Sequence, residues 1–269
     1  MTPEGDVMLK SGLYEQIINQ GINEELKSTD KIIRLKNIDE GESSKVLAQY
    51  ASEIIEKGLN QLGDDKLPEK IELINKMIEV IRAKTGGEDF TSMSVDERAE
   101  QLLALLDKEN SKYAIDQNST VIRPETSIAQ SSLFTSAVNE PQLLGELKKE
   151  IVSADRIDMI VSFIKWSGVR RIINELKDFT DKGGELRIIT TSYMGATDVK
   201  AIEELRKLSN TMIKVSYDTK VTRLHVKSYV FYRDTGFTTA YVGSSNLSGA
   251  AISTGREWNV KVTNKGRSQ

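Results

Sequence analysis

The only histidine of this chain belongs to a spaced set of polar residues that suits chemistry on phosphate groups. His225 and Lys227 are two residues apart within the apolar run 224–231, so on a β-strand their side chains share a face. An imidazole can attack an electrophilic centre, and a lysine ammonium can neutralise the oxygens bonded to that centre. Four further residues of suitable type follow along the chain: Gly243, Ser244, Asn246 and Glu257. Together these residues predict a site for phosphodiester chemistry.

The spacing resembles that of the phospholipase D superfamily, whose signature is His-x-Lys, four residues, Asp, and later Gly-Ser-x-Asn. Five residues match that signature: His225, Lys227, Gly243, Ser244 and Asn246. In nucleases of the family that carry a single motif, a glutamate follows the asparagine by eleven residues, and Glu257 stands there. One position departs, because Tyr232 occupies the place of the family's Asp and Asp234 follows two residues later.

The resemblance implies a role for each matched residue. Nε2 of His225 would be the nucleophile and would form a phosphohistidine intermediate. Glu257 would accept a hydrogen bond from Nδ1 of that ring, which leaves Nε2 unprotonated. Lys227 and Asn246 would bind the non-bridging phosphate oxygens. Three residues are expected to contribute to substrate binding: Gly243, Ser244 and Lys165. The family's chemistry needs no metal and no cofactor, and we expect none here.

Other segments resemble the phospholipase-D-like domain that precedes the motor of bacterial superfamily II helicases. These segments are residues 154–158, 161–166, 191–198 and 256–260. The resemblance implies DNA as the substrate and a helicase motor as a partner. No Gly-x-x-x-x-Gly-Lys-Ser/Thr sequence occurs in the chain. We therefore expect either the N-terminal part of a helicase–nuclease or a stand-alone relative.

Composition restricts the other classes of function. The net charge of −3 and the pI of about 5.5 argue against a broad DNA-coating surface, but they allow a focused cationic cleft. Candidates for that cleft are Lys165, Arg170, Arg171, Arg223 and Lys227. The absence of cysteine excludes disulfides and thiolate metal sites, and it agrees with a cytoplasmic location. No apolar run is long enough to span a membrane, and the N-terminus lacks the features of a signal peptide.

The chain divides by pattern into a helical region 1–108, a polar linker 109–132 and a phospholipase-D-like catalytic domain 133–269. Helical spacing of apolar residues predicts helices before residue 86, and the capping box at 94–97 predicts a fourth. From residue 136 onward, helices alternate with short apolar strands, including predicted strands at 157–164, 223–232 and 257–262. This alternation predicts an α/β sandwich with a mixed sheet.

The proposed chemistry also predicts an assembly. Protonation of the leaving oxygen calls for a second histidine, and this chain has none to offer. In single-motif members of the family two subunits share one site, so we expect a homodimer. Two alternatives to a DNA phosphodiesterase remain: a nucleic-acid-binding or targeting module that has little or no turnover, and a lipid phosphodiesterase. The lipid alternative is disfavoured because no amphipathic, membrane-facing segment is evident.

Overall fold

The computed structural model describes residues 9–105, 121–218 and 224–264. The chain divides into two compact units, Met1–Leu102 and Leu103–Gln269. The domain boundaries that we placed at residues 108 and 132 stay a prediction. None of the helices in the described residues is both long and apolar enough to cross a membrane.

The first unit is helical, as its apolar spacing predicts. It contains α1 (Gln20–Ser28), α2 (Ser43–Gln61), α3 (Leu67–Thr85) and a 3₁₀ turn (Glu88–Met93). Asn19 begins α1 by accepting a hydrogen bond from the backbone N–H of Ile22 at 2.9 Å. Gly86 ends α3 in the left-handed conformation, with φ of 69°.

The predicted fourth helix does not form within residues 94–105, which are the part of it that the structure describes. The side chain of Asp96 accepts a hydrogen bond from the backbone N–H of Arg98 at 3.0 Å. That local bond makes a turn that competes with a helical start. The capping-box prediction was therefore wrong for these residues.

The second unit is built on one seven-stranded mixed sheet, which confirms the predicted α/β fold class. Its strands are β1 (Ser132–Phe134), β2 (Arg156–Val161), β3 (Glu185–Thr191), β4 (Thr211–Ser216), β5 (Lys227–Tyr232), β6 (Thr239–Gly243) and β7 (Asn259–Thr263). Their order across the sheet is β1-β7-β6-β5-β2-β3-β4, with β2, β3 and β4 parallel and the other neighbours antiparallel. Its helices are α4 (Leu143–Ser153), α5 (Trp166–Val169), α6 (Ile173–Asp181) and α7 (Val199–Arg206).

Alternation along the strands separates a buried face of the sheet from an exposed one. Ile157, Met159 and Val161 of β2 are buried on the same face as Tyr229 and Phe231 of β5. The opposite face carries apolar side chains that are 39 to 53% exposed, namely Leu133, Ile189, Met212, Val242, Val260 and Val262. The period of two in β5 also places Lys227 on the buried face, at the end of the strand where the candidate site lies.

A buried carboxylate ties helix α4 to the sheet. Glu150 accepts hydrogen bonds from Arg233 at 2.5 Å, from Lys261 at 2.9 Å, and from the hydroxyls of Thr239 and Tyr241. Burial by itself raises the pKa of Glu150, but the two cations outweigh burial and hold that pKa below its usual range. The carboxylate is thus ionised and paired, as a buried charge must be.

The described part of the predicted linker, residues 121–132, belongs to the second unit. The carboxylate of Glu146 in α4 accepts hydrogen bonds from the backbone N–H groups of Glu125, at 2.7 Å, and Thr126, at 3.1 Å. Lys261 donates to the Thr126 hydroxyl at 2.9 Å. β1 begins at Ser132, the last residue of the predicted linker, and pairs with β7. These contacts hold residues 125 and 126 against α4 and β7.

Candidate active site

The candidate site lies where β5 and β7 begin and β6 ends. Lys227 is the first residue of β5, and its Nζ lies 3.0 Å from Nε2 and 3.2 Å from Nδ1 of His225. His225 itself precedes the strand, because residues 224–226 of the predicted strand are not part of β5, and its predicted first residue, 223, lies outside the described residues. The expected pairing of imidazole and ammonium therefore forms, although only one of the two residues belongs to the strand.

Lys227 holds its charge in a poorly solvated place. Its side chain is buried, with 8% of the residue exposed. Burial lowers the pKa of Lys227 from its usual value, and the nearby charge of Glu257 partly opposes that effect. An ammonium that is short of water gains more from a phosphate oxygen than an exposed lysine would, because the local dielectric constant is lower.

A turn after β6 presents the Gly-Ser-Ser-Asn residues to the site. Ser245 is fully buried at its centre, where its hydroxyl accepts a hydrogen bond from Asn259 at 2.8 Å. Its carbonyl accepts one from the Tyr229 hydroxyl at 3.0 Å. The carboxamide oxygen of Asn246 accepts the backbone N–H of Phe163 at 3.2 Å. The amide nitrogen of Asn246 is thus the end of the group that can donate to a phosphate oxygen.

Glu257 is held by Ser244, its neighbour across the strands. The Ser244 hydroxyl donates a short hydrogen bond to the Glu257 carboxylate. The backbone of Ser244 also donates to the carbonyl of Trp258 at 3.0 Å. The expected hydrogen bond between Glu257 and His225 is not formed between these two described residues, and the carboxylate charge acts instead on Lys227.

Gly243 is required by the close approach of β7. A Cβ placed on Gly243 would lie 2.1 Å from the carbonyl oxygen of Trp258 and 2.6 Å from Oδ1 of Asn259. Only glycine allows these two backbones to come so near. This close approach brings Ser244 against Glu257, so the glycine of the motif sets the position of its serine.

Lys165 lies beside the site but is paired elsewhere. Its backbone N–H donates to the carbonyl of Leu247 at 2.8 Å, which places it next to the Asn246 turn. Its ammonium lies 3.1 Å from the carboxylate of Asp198, which also accepts the backbone N–H of Trp166. The hydrogen bond from Trp166 and the charge of Lys165 hold the pKa of Asp198 below its usual range. A role of Lys165 in substrate binding stays a prediction, and Arg223 lies outside the described residues.

Tyr232 lies at the far end of β5 from Lys227. The two are five positions apart, which is about 17 Å along an extended strand. The guanidinium of Arg156 stacks on the Tyr232 ring, 3.8 Å from its centroid. The departure from the family's aspartate thus alters packing at the opposite end of the strand and not the contacts of His225.

Sequence reasoning missed the residues that support the site from behind. Tyr229 and Asn259 hold Ser245, and their only signal is a place on the inner face of a strand. Ser136 contacts the backbone of Glu257 from 121 positions away. Nothing in the local sequence around Ser136 indicates that contact.

Residues 147–269 match the family model described as cardiolipin synthase, PLD-like domain. No curated protein matches the chain.

Similar solved structures include NucT from Helicobacter pylori, which is 24% identical and covers 50% of this chain and 85% of its own, with a TM-score of 0.40. Nuc from Salmonella typhimurium, a phospholipase D family member, is 22% identical over 51% of this chain and 84% of its own, with a TM-score of 0.38. The residues that match the family model, 147–269, include His225, Lys227 and Asn246.

Proposed function

We propose that the second unit is a metal-independent phosphodiesterase that cleaves DNA through a phosphohistidine on His225. The observation that carries this proposal is the contact of 3.0 Å between the buried Lys227 ammonium and the imidazole. This pair suits attack on a phosphate diester. The imidazole is the nucleophile, and the poorly solvated cation binds the non-bridging oxygens of the diester, which keep their negative charge during the reaction.

The first chemical step forms a bond between Nε2 of His225 and phosphorus. The bond from phosphorus to the leaving oxygen breaks, and that oxygen takes a proton from a general acid. Lys227 and the amide nitrogen of Asn246 bind the non-bridging oxygens. The carboxylate of Glu257, close enough to act on Lys227, offsets the positive charge that develops on the imidazole.

The second step returns the histidine to its starting state. Water attacks phosphorus and loses its proton to the group that acted as the acid. The bond between phosphorus and Nε2 of His225 breaks, and the phosphate monoester leaves. That acid is best supplied by His225 of a second subunit, because the chain contains no other histidine. The active form is therefore a homodimer with one shared site.

DNA as the substrate and a helicase motor as the partner are supported by the resemblance of residues 154–158, 161–166, 191–198 and 256–260. The overall charge of −3 means that DNA would be bound through the local cations of the site and not through a basic surface. In this arrangement the motor delivers DNA to the nuclease dimer.

A nucleic-acid-binding module without turnover is the second candidate function. Tyr232 in place of the family's aspartate favours that candidate. Tyr232 lies about 17 Å from Lys227, with its ring against Arg156, and this distance weakens that argument. We therefore prefer the enzyme.

Cleavage of labelled single- and double-stranded DNA in EDTA tests the proposal. The native chain should cut, and His225→Ala should lose roughly 10³-fold or more in rate, as expected when a nucleophile is removed. Val226→Ala is the matched control, because Val226 is adjacent and 41% exposed, and it should keep the native rate. If the native chain and His225→Ala both bind DNA and neither cuts it, the binding module is the correct function.

A further inference from the structure

We propose that Ser136 is a positioning residue, which fixes Glu257 in the catalytic site by holding both backbone polar groups of that glutamate. The proposal rests on the proposed function, since it gives Ser136 a role only through Glu257. The Ser136 hydroxyl donates to the carbonyl of Glu257 at 3.0 Å and accepts the backbone N–H of Glu257 at 3.2 Å. One side chain thus satisfies the donor and the acceptor of the same residue.

The strand pairing explains why Ser136 is in reach. β1 pairs with β7 in a register that places Phe134 opposite Asn259. Continuing that antiparallel register by two residues places Ser136 opposite Glu257. The backbone ladder has ended there, and the serine hydroxyl takes the place of the missing backbone partner.

The loop around Ser136 is built to hold it in an unusual conformation. Ser136 has φ of 61°, in the left-handed region that residues other than glycine rarely adopt. The carboxylate of Glu140 accepts hydrogen bonds from the backbone N–H of Thr135 at 2.5 Å and from its hydroxyl at 2.8 Å. These bonds lower the pKa of Glu140, so the carboxylate is ionised at neutral pH and keeps the loop closed. Backbone strain of this kind persists where its surroundings enforce it.

Two hydroxyls therefore determine the place of Glu257. Ser244 binds its carboxylate, and Ser136 binds its backbone. Ser244 belongs to the recognised motif, whereas Ser136 comes from the segment between β1 and α4. Without Ser136, the backbone of Glu257 would be held only through its neighbours, and its carboxylate would shift relative to Lys227.

The variant Ser136→Gly tests the positioning role without lowering the stability of the protein. Glycine removes the hydroxyl and also relieves the left-handed backbone, so the thermal midpoint should not fall. We expect kcat for DNA cleavage to fall roughly tenfold to a hundredfold, with KM within about twofold of native, as for a displaced catalytic group. Ser136→Asn should restore part of kcat, because asparagine tolerates this conformation and its amide both donates and accepts.

A double mutant provides the decisive comparison. In a Glu257→Gln background, Ser136→Gly should cause no further loss of kcat, because the positioned carboxylate is already absent. The matched control is Asn210→Gly, which relieves a backbone with φ of 46° at the other end of the strands, and it should leave kcat unchanged.

The results of these experiments distinguish failure of the proposed function from failure of the positioning role. A native chain that does not cut DNA overturns the proposed function and this inference with it. A native chain that cuts, with Ser136→Gly equally active, overturns the positioning role alone. The same holds if the losses from Ser136→Gly and Glu257→Gln multiply, since independent effects would then account for both.

Discussion

At the scale of single residues, the site depends on a lysine that is kept out of water. Lys227 could not be distinguished from the other lysines of the chain by type alone. The structure buries it at the start of β5, where its ammonium meets the His225 ring at 3.0 Å. Because burial penalises the charged form, the lysine holds its proton less firmly than an exposed one.

This burial predicts an alkaline limit to activity. Phosphate binding needs the protonated lysine, so kcat/KM should fall as pH rises through the lowered pKa of Lys227, before the usual lysine value of 10.5. Lys227→Arg keeps its charge at every accessible pH, so its profile should lack this alkaline fall, although its rate at pH 7 should be ~10-fold lower for want of the right geometry. Initial rates between pH 7 and 11 measure both profiles. An alkaline fall of equal position in both enzymes would assign it to another group.

The lowered pKa of Lys227 also affects the stability of the fold. Stability should rise with pH over the interval in which activity falls. The unfolded chain binds more protons at Lys227 than the folded chain does between the lowered pKa and 10.5. The penalty for burying the charge is present below that interval and is relieved as pH rises through it. The protein thus accepts a small loss of stability at neutral pH to keep a charge at the site.

At the scale of elements, the site is made by the approach of β7 to the end of β6. Gly243 and Asn259 are paired in the ladder, and the carbonyl of Trp258 occupies the space that a Cβ of Gly243 would need. The turn beyond β6 is held by hydrogen bonds that Asn259 and Tyr229 donate to Ser245. Strand pairing, and not the turn sequence alone, places the Ser244 hydroxyl against the carboxylate of Glu257.

Two glycine substitutions test this reading of the strands. Gly243→Ala should lower the free energy of unfolding by about 1–3 kcal/mol through overpacking, and it should reduce cleavage by displacing Ser244. Gly145→Ala is the matched control in α4, where an added Cβ meets nothing within 4 Å, and it should raise stability by about 0.5–1 kcal/mol. Urea denaturation measures both changes. A Gly243→Ala protein as stable and active as the native one would contradict the assigned role.

At the scale of the whole molecule, the proposed mechanism requires more than one chain. A single histidine can act as the nucleophile, but the leaving oxygen then needs an acid from another subunit. The covalent step and the proton transfer are thereby divided between two copies of the same residue.

Subunit mixing tests that division. If both histidines are needed, equal amounts of native and His225→Ala subunits, exchanged to equilibrium, should retain about a quarter of the native activity by random pairing in dimers. About a half would remain if each subunit worked alone. Sedimentation should show a dimer, and a strict monomer that still cleaves DNA would overturn the shared site.

Much of the fold and of the candidate site was predictable from local signals. Helical spacing and Gly86 located α3, and alternation located the strands of the sheet. The prediction failed where a short-range contact competed with the pattern, as with Asp96, whose side chain turns the chain instead of starting a helix. It also included residues 224–226 in a strand, whereas β5 pairs with β2 only from Lys227 onward.

The sequence by itself determined which groups can do chemistry, because residue type and spacing fix an imidazole, an ammonium and a Gly-Ser-x-Asn turn along one chain. Tertiary structure decided what each of them touches. It paired Lys165 with Asp198, moved the partner of Glu257 from His225 to Ser244, and brought Ser136 onto the Glu257 backbone. The physical reason is that such contacts join residues far apart in sequence, and only the register of the paired strands brings them together.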